Sequence, residues 1–323
     1  MTDQRRPAKD ERPKMTDQNR VRVPASSANL GPGFDALGLA LQIYLDCRFR
    51  KAEALMISAT GRDLSSIPVD DGNLIWQTAL QVAAAHDREM PPVEIQIDND
   101  IPVGKGLGSS AAALLAGVVI ANQILELKWG RDRILDEAAR LEGHPDNVAA
   151  SVLGSVVTAA IDADGLTRAI RLDLPQTLRV AIVCPTFKLA THHMRTVLPE
   201  TYSKEDAIFN VQRAALLVAA LATGNREAFP ECFQDRLHQP YRLSLIPGME
   251  TILKLRAPGL LGCTLSGAGP AMLVFYDEGS ESVVEMVRDQ FKRAGRPSDV
   301  IFTEVDREGL KIECPEVESQ EAE

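Results

Sequence analysis

The sequence IPVGKGLGSSAAALL, residues 101–115, places three glycines and two serines directly before an apolar run. Glycine lets backbone amides approach a ligand, and a helix beginning near Ser109 directs unpaired N–H groups and its positive dipole end at that ligand. The lysine lies between glycines and no Gly-Lys-Ser/Thr triplet follows, so the stretch is not a Walker loop. It also differs from a dinucleotide-binding fingerprint, because no acidic residue about twenty positions later follows a second clear strand. We therefore expect a loop and helix that bind an anion, with phosphate as the first hypothesis.

Length, charge and cysteine content limit the class of protein. The 323 residues suffice for two domains, and the net charge of −10 argues against nucleic acid as a partner. No apolar stretch has the length of a membrane span, and the first twenty residues lack a secretory signal. Five cysteines without a C-x-x-C pair indicate neither disulfides nor a zinc site. We expect a cytoplasmic protein without a membrane partner.

The chain divides into two tails and two predicted domains. Residues 1–19 are polar and predict a disordered tail, and the repeat of MTDQ at residues 1 and 15 is consistent with an alternative translation start at Met15. The predicted domains cover residues 20–175 and 176–306. An acidic tail is expected over residues 307–323.

Strands and helices are mixed without strict alternation. Several strands come before the first helix, which favours an α+β fold over a doubly wound sheet. Residue types and apolar spacing predict strands at 21–25, 43–50, 93–98, 155–161, 179–184, 271–276 and 300–305, and helices at 73–86, 109–126, 131–141, 205–223 and 281–294.

Three further stretches are unusual in composition. PASSANLGPGFDALGLAL (24–41) has neither helical nor strand periodicity and sets Asn29 and Asp35 in a loop with Gly31, Pro32 and Gly33. LEGHPDNVAASVLGS (141–155) groups polar side chains around a predicted helix start. TLSGAGPAMLVF (264–275) is a second glycine-rich turn, which leads into a strand. Each one alone has a simpler explanation, such as a tight loop or the ordinary residues of a first helical turn.

Together, SSANLGPGFDALGLAL, PVGKGLGSSAA and LSGAGPAM resemble the GHMP kinase superfamily, in the family's order and over about residues 20–305. With EGHPDNVA, the first motif is most similar to the homoserine kinase branch. The resemblance implies an N-terminal ribosomal-protein-like domain, a C-terminal ferredoxin-like domain and an active site between them. It also implies transfer of the ATP γ-phosphoryl group to the side-chain hydroxyl of L-homoserine, on the route to threonine.

The same resemblance implies a set of substrate-binding residues. A carboxylate suits the ammonium group of homoserine, and a guanidinium fork suits its carboxylate. Where the family has Asp-x-x-x-Glu-Pro-x-Arg, this sequence has DRLHQPYR, so that Gln239 stands in place of a glutamate. This departure weakens the assignment of Arg242 relative to Arg195. The expected substrate contacts are Asn29, Asp35, His144, Asn147, Thr191, Arg195 and Arg242.

ATP and Mg²⁺ are the implied cofactors. Mg²⁺ prefers one or two protein oxygens together with phosphate oxygens and water. We expect Ser110 and Glu142 as its protein ligands, with Asp136 as the substitute for Glu142. The expected nucleotide-binding residues are Pro102, Val103, Gly104, Lys105, Gly106, Leu107, Gly108, Ser109, Ser110, Ala111 and Ala112.

Two alternatives remain open for the proton of the substrate hydroxyl. Asp146 aligns with the aspartate that acts as a base in the mevalonate kinase branch. In homoserine kinases Asn147 instead orients the hydroxyl, and phosphoryl transfer allows this because positioning and charge stabilisation carry most of the catalysis. We favour the second alternative.

Two other functions compete with this interpretation. The first is another small-molecule kinase of the superfamily, and the second is a ligand-binding regulator that has lost turnover. An acceptor without an ammonium group would leave Asp35 without a partner. A homodimer is left open as the state of assembly.

Overall fold

The computed structural model describes residues 18–174, 178–189 and 191–314, without the side chains of residues 191–193. Most of both predicted tails and residues 175–177 at the predicted domain boundary lie outside this part of the chain. The strands are β1 Asn19–Ala28, β2 Leu37–Lys51, β3 Met56–Gly61, β4 Val93–Asn99, β5 Val156–Ile161, β6 Thr167–Leu172, β7 Leu178–Pro185, β8 Leu260–Leu265, β9 Met272–Asp277, β10 Ser298–Thr303 and β11 Lys311–Glu313. The α-helices are α1 Leu74–Ala85, α2 Ser109–Ile124, α3 Arg131–Glu142, α4 Asp146–Leu153, α5 Thr191–Thr196, α6 Lys204–Thr223, α7 Phe229–Cys232, α8 Gln239–Arg242, α9 Met249–Leu253 and α10 Ser282–Arg293.

Within the described part of the chain, the first sheet has seven strands and is organised by the long strand β2. Its main order is β11-β1-β2-β4-β3, and β5 and β6 extend it from the start of β2. Residues 37–39 of β2 pair with β5, whereas residues 45–51 pair with β4. Helix α2 packs on this sheet through an almost entirely buried surface. The loop before α2 is thereby held at a fixed position beside β1.

The last described residues return to the first sheet. Lys311–Glu313 pair with β1 in antiparallel register, and Val305 forms a bridge with Leu41. The prediction that residues 307–323 are a tail is therefore wrong for β11. Three residues are too short for a periodicity signal, and an existing edge strand is what orders them.

The second sheet contains four antiparallel strands from the described residues, in the order β10-β7-β9-β8. Along the chain its main elements are β7, α6, β8, β9, α10 and β10, which is the β-α-β-β-α-β arrangement of ferredoxin-like domains. The expected α+β class is confirmed, together with all of the strands and helices predicted from the sequence. The exact division at residues 175 and 176 stays a prediction.

The two faces of β7 bury different cores. Val180 and Ile182 belong to the larger core, which includes the first sheet and α2. Ala181 and Val183 face a second core with α10. Because successive side chains of a strand point to opposite faces, β7 joins the second sheet to both cores, and the two sheets meet along a continuous apolar contact.

Helix α6 differs from one expectation. It is long and apolar enough to cross a membrane by length and composition alone, so the prediction that no stretch reaches this length is wrong. In the structure it packs through Leu217 and Leu221 against the larger core. Its opposite side exposes Ile208, Val211 and Leu216.

Candidate active site

The glycine-rich loop borders a cavity of about 340 Å³ that is lined by residues of the first sheet and by the turn between β8 and β9 of the second. The loop between β1 and β2, the start of α2, the junction of α3 and α4, and the turn between β8 and β9 all reach it. The cavity brings together most of the residues predicted from the sequence. These are Asn29, Asp35, Val103, Gly104, Gly106, Leu107, Gly108, Ser109, Ser110, Ala111, Glu142, His144, Asp146, Asn147, Arg195 and Arg242.

The glycine-rich loop has the backbone conformation that requires glycine. Gly104, Gly106 and Gly108 have φ angles of 71°, 82° and 69°, a region that other residues rarely adopt. Helix α2 begins at Ser109, and no side chain among the described residues caps it. Its first-turn N–H groups therefore remain available to an anion in the cavity.

The second glycine-rich turn supports the first loop. The Ser266 hydroxyl donates to the carbonyl of Gly106 at 2.7 Å, and the Ala271 amide donates to the carbonyl of Lys105 at 3.1 Å. A Cβ at Gly106 would overlap the carbonyl oxygen of Ser266. Gly106 is therefore required for the contact between the two turns, which the sequence pattern alone did not indicate.

Three residues of the predicted nucleotide loop do not line the cavity. Pro102 and Ala112 are buried. The Lys105 ammonium donates to the carbonyls of Pro185 and Phe187 at 2.6 and 2.7 Å, and burial lowers its pKa. The Lys105 side chain therefore attaches the loop to the end of β7, and a contact between the nucleotide and the backbone of Lys105 stays a prediction.

Strained backbone shapes the turn that carries Asp35. Asn29, Leu30 and Asp35 have φ angles of 71°, 47° and 55°. The Asn29 carboxamide holds this conformation, since its oxygen accepts from the Asp35 amide at 3.0 Å and its nitrogen donates to the carbonyl of Gly267 at 3.1 Å. Positive φ values in residues other than glycine concentrate at functional sites. Here they direct the Asp35 side chain into the cavity.

Asp35 and Arg195 form a bidentate ion pair across the cavity. The two guanidinium nitrogens donate to the two carboxylate oxygens at 2.7 and 3.1 Å. Both side chains remain about one-third exposed, at 34% and 39%. The two groups predicted to bind opposite ends of an amino acid thus face each other directly.

Arg242 is a buried cation with neutral partners. It is 2% exposed, and its guanidinium donates to the carbonyls of Met194 and Gly267 at 3.1 and 3.2 Å. Among the described residues, no carboxylate oxygen lies within ion-pair distance of it. Burial, with a smaller contribution from the nearby charge of Arg195, lowers the pKa of Arg242 to about 10. An anion in the cavity would relieve this unfavourable position.

The Gln239 side chain is hydrogen-bonded to residues of β8. The Gln239 oxygen accepts from the Thr264 hydroxyl at 3.1 Å and from the Leu265 amide at 2.9 Å. The side chain therefore points toward β8 and not toward the cavity. The substrate roles of Arg242 and Arg195 stay predictions, and both side chains line the cavity.

Asp146 organises the start of α4. Its Oδ1 atom accepts from the Asn147 amide at 2.7 Å and lies 2.9 Å from Nδ1 of His144. The Asn147 carboxamide oxygen accepts from the Ser26 hydroxyl at 2.9 Å. The Asn147 amide nitrogen donates over a long distance of 3.5 Å to Oδ1 of Asp146, so its second N–H group remains available to a ligand in the cavity.

Burial and mutual charge change the acidity of the groups beside Asp146. Burial alone would lower the pKa of His144, but the hydrogen bond and charge of Asp146 raise it overall. Burial and the charge of Asp146 raise the pKa of Glu142. The junction of α3 and α4 is therefore an acidic corner of the cavity in which an additional cation would be stabilised.

The structure separates the two alternatives for a magnesium ligand. Ser110 and Glu142 both line the cavity. Asp136 lies outside its lining and accepts from the Thr167 amide at 2.8 Å, which fixes the start of β6. The substitute assignment of Asp136 is therefore wrong.

A cluster of two carboxylates and one histidine has the spacing of a metal site. Ligand atoms of Asp35, His144 and Asp146 lie within 4.8 Å of one another. However, Asp35 is paired with Arg195, and His144 is hydrogen-bonded to Asp146. These contacts account for the cluster without a metal ion.

One predicted substrate contact falls outside the described side chains. Thr191 is the first residue of α5, the helix that also carries Arg195. Its side chain lies outside the described part of the chain, so its role stays a prediction.

The cavity also contains residues that the sequence motifs did not indicate. Phe34 lies within the first motif beside Asp35, but nothing in the pattern distinguished its ring from a core residue. An apolar extension of the cavity begins near the start of α1, where Asn73 caps the helix by accepting from the Ile75 amide at 2.9 Å. This extension is lined by Ser66, Ile67, Pro68, Asn73, Leu74 and Ile75.

Comparison with known proteins agrees with this geometry. Residues 73–155 match the GHMP kinases N terminal domain, and residues 217–293 match the GHMP kinases C terminal family. A homoserine kinase of Solibacter usitatus is 60% identical over 90% of this chain and 96% of its own. A homoserine kinase of Deinococcus radiodurans is 40% identical over 91% and 96% of the two chains.

A solved structure extends the likeness to three dimensions. The crystal structure of homoserine kinase from Cytophaga hutchinsonii matches with a TM-score of 0.79 and 28% identity, over 93% of this chain and 99% of that one. Both the fold and the nearly full-length sequence similarity point to the same group. The chain therefore belongs to the GHMP kinase family and, within it, to the homoserine kinases.

Proposed function

We propose that this protein transfers the γ-phosphoryl group of ATP to the side-chain hydroxyl of L-homoserine, which gives O-phospho-L-homoserine on the route to threonine. The observation that carries the proposal is the single cavity that joins an uncapped helix start to a site for an amino acid. A phosphate-binding loop and a pair of opposite charges for a zwitterion lie in the same space. A kinase for an amino-acid alcohol requires this combination.

Homoserine would be recognised by its two charged ends. Its ammonium suits the Asp35 carboxylate, and its carboxylate suits the guanidinium groups of Arg195 and Arg242. Binding would then insert the zwitterion into the ion pair of Asp35 and Arg195, so that two new ion pairs replace one. Arg242 would gain the anionic partner that it lacks among the described residues.

ATP would occupy the remaining part of the cavity. The loop from Val103 to Ala111 and the first turn of α2 present backbone N–H groups to the phosphates. The apolar extension near the start of α1 offers Ile67, Pro68 and Leu74 to a flat base. The glycine-rich motif does not predict which residues contact the base.

The donor set fits Mg²⁺ as the partner of ATP. Ser110 and Glu142 supply a hydroxyl and a carboxylate, the oxygen ligands that Mg²⁺ prefers. When bound, Mg²⁺ neutralises the charge that develops on the phosphates. The raised pKa of Glu142 is consistent with a carboxylate that needs a cation beside it.

Positioning of the substrate hydroxyl is assigned to Asn147. Its oxygen is held by Ser26, so that its nitrogen can donate to the hydroxyl oxygen and direct it toward the γ-phosphate. Asp146 holds the Asn147 backbone and His144 through one carboxylate oxygen. We assign Asp146 an organising role, and a role as general base is the alternative.

A coupled assay of ADP release tests the proposed function. Homoserine, mevalonate, galactose and serine are supplied in turn with ATP and Mg²⁺. We expect turnover with homoserine to exceed that with the others. Turnover with mevalonate alone would favour another kinase of the superfamily, and no turnover with any acceptor would favour a regulator without catalysis.

Replacing Asp35 with asparagine tests the ammonium site. The variant keeps the shape of the side chain but loses the charge-assisted bond, so the apparent affinity for homoserine should fall by about 2–4 kcal/mol. The measurement is KM for homoserine at saturating ATP, with KM for ATP as the internal control. An unchanged KM for homoserine would remove Asp35 from the substrate site.

Cytoplasmic location and a homodimer complete the proposal. All five cysteines are free thiols, as is usual in a reducing compartment.

The exposed apolar side of α6, with Val211 at 69% exposure, is a suitable surface for a second copy of the chain. A two-fold axis would place this surface of one copy against the same surface of the other. Light scattering of the full chain tests this, and a monomeric mass at micromolar concentration would contradict it.

A further inference from the structure

Phe34 lies beside both predicted carboxylate-binding arginines. Its ring centroid is 5.5 Å from the guanidinium carbon of Arg195 and 5.8 Å from that of Arg242. These distances are within the range of cation–π attraction. The ring also lines the cavity. An aromatic face that contacts two like charges counteracts their mutual repulsion.

His238 supports this arrangement from the buried side. Its ring stacks on Phe34 with centroids 5.2 Å apart and an interplanar angle of 23°. Its Nε2 atom lies 2.7 Å from the carbonyl oxygen of Gly31, and its Nδ1 atom lies 3.0 Å from Nη1 of Arg242. Nε2 must donate to the carbonyl, so Nδ1 of the neutral ring accepts from Arg242. Burial lowers the pKa of His238, which is consistent with the neutral form.

These contacts fix the direction of the Arg242 guanidinium. Its Nε and Nη1 atoms donate to Met194, His238 and Gly267. Within the described part of the chain, Nη2 has no hydrogen-bond partner. Because the other two nitrogens are held, Nη2 has a defined orientation in a side chain that lines the cavity.

We propose that Phe34 and His238 form a bracket that holds the guanidinium groups of Arg195 and Arg242 in position for the carboxylate of the amino-acid substrate. Phe34 is then a positioning residue that determines affinity for that carboxylate. The inference rests on the proposed function, because it assigns the carboxylate of homoserine to these arginines. The bracket contains no group that takes part in phosphoryl transfer.

Substitution of Phe34 distinguishes the effect of its aromatic face on substrate affinity from the effect of apolar packing. Phe34→Leu keeps an apolar side chain but removes the π face, so KM for homoserine should rise about 10-fold. KM for ATP and kcat should each stay within about threefold, since the loop and Asn147 are unchanged. Phe34→Tyr keeps the ring and should restore KM for homoserine to within about twofold of the wild type.

Phe209 supplies a matched control. The guanidinium carbons of Arg213 and Arg236 lie 3.8 and 3.9 Å from its ring centroid, but Phe209 does not line the active-site cavity. Phe209→Leu therefore removes two cation–π contacts of the same kind elsewhere in the fold. It should leave KM for homoserine unchanged.

Each outcome supports or overturns the bracket. An unchanged KM for homoserine in Phe34→Leu overturns it. A lower melting temperature accompanied by changes in kcat and in both KM values also overturns it, because these changes together indicate a general structural role of Phe34. If the leucine variant folds poorly, Phe34→Met provides the same kinetic comparison, because the flexible methionine side chain fills irregular gaps. A wild-type enzyme without activity on homoserine would instead reject the proposed function.

Discussion

Replacing Asn147 with leucine should lower kcat for homoserine phosphorylation by about 10²–10³-fold. The Asn147 oxygen is held by Ser26 at 2.9 Å, so its nitrogen is the available donor for the substrate hydroxyl. Leucine has a similar size and removes that donor. KM for homoserine should change little, because Asp35 and the arginines bind the charged ends of the substrate. Steady-state kinetics at saturating ATP and Mg²⁺ provide the measurement.

Asp146→Asn is the comparison that decides between the two mechanisms. An asparagine at this position can still accept from the Asn147 amide and from His144, so an organising role predicts a fall in kcat of only about 10-fold. A general base predicts a fall of about 10²–10⁴-fold. An Asp146→Asn enzyme far slower than Asn147→Leu would contradict the organising role and require a base.

The phosphate loop could be predicted from sequence because its requirements are local. Glycines at positive φ followed by a helix start depend on neighbouring residues, and Gly104, Gly106 and Gly108 adopt these angles. The main strands and helices were predictable for the same reason, since periodicity reports which face is buried. The contact of Gly106 with Ser266 was not predictable, because these residues are distant in the sequence and meet only in the fold.

The elements that the sequence missed have weak periodic signals. Strand β3 is an edge strand with little burial, so it lacks an alternating apolar face. Strand β8 contains Gly262, whose absent side chain makes room for the Phe233 ring, and a glycine in a strand weakens its signal. Strand β11 is too short for any pattern to be visible.

The surroundings of the charged residues also depend on tertiary structure. The sequence indicated Asp35 and Arg195 as separate substrate contacts, whereas the fold pairs them with each other. Asp136 remained an alternative magnesium ligand until the fold placed it at the start of β6. Burial and partner identity determine these roles, and neither is encoded in local spacing.

Replacing Arg242 with methionine should raise KM for homoserine by about 10²-fold or more, while KM for ATP stays the same. Arg242 is a buried cation without a carboxylate partner among the described residues, and a substrate carboxylate would complete the charge pair in a desolvated site. Arg242→Lys should recover only part of this affinity, because an ammonium lacks the planar fork that binds a carboxylate through two donors.

A thermal shift assay measures the same interaction without catalysis. Saturating homoserine should raise the melting temperature of the wild type by mass action, and this increase should be lost in Arg242→Met. Arg256→Met is the matched control, since Arg256 also donates to backbone carbonyls, those of Leu253 and Leu255, but is exposed and outside the cavity. This control should keep the wild-type KM and thermal shift. If Arg242→Met kept them as well, the substrate carboxylate would have to bind through Arg195 alone, and the unpaired charge of Arg242 would need another anion.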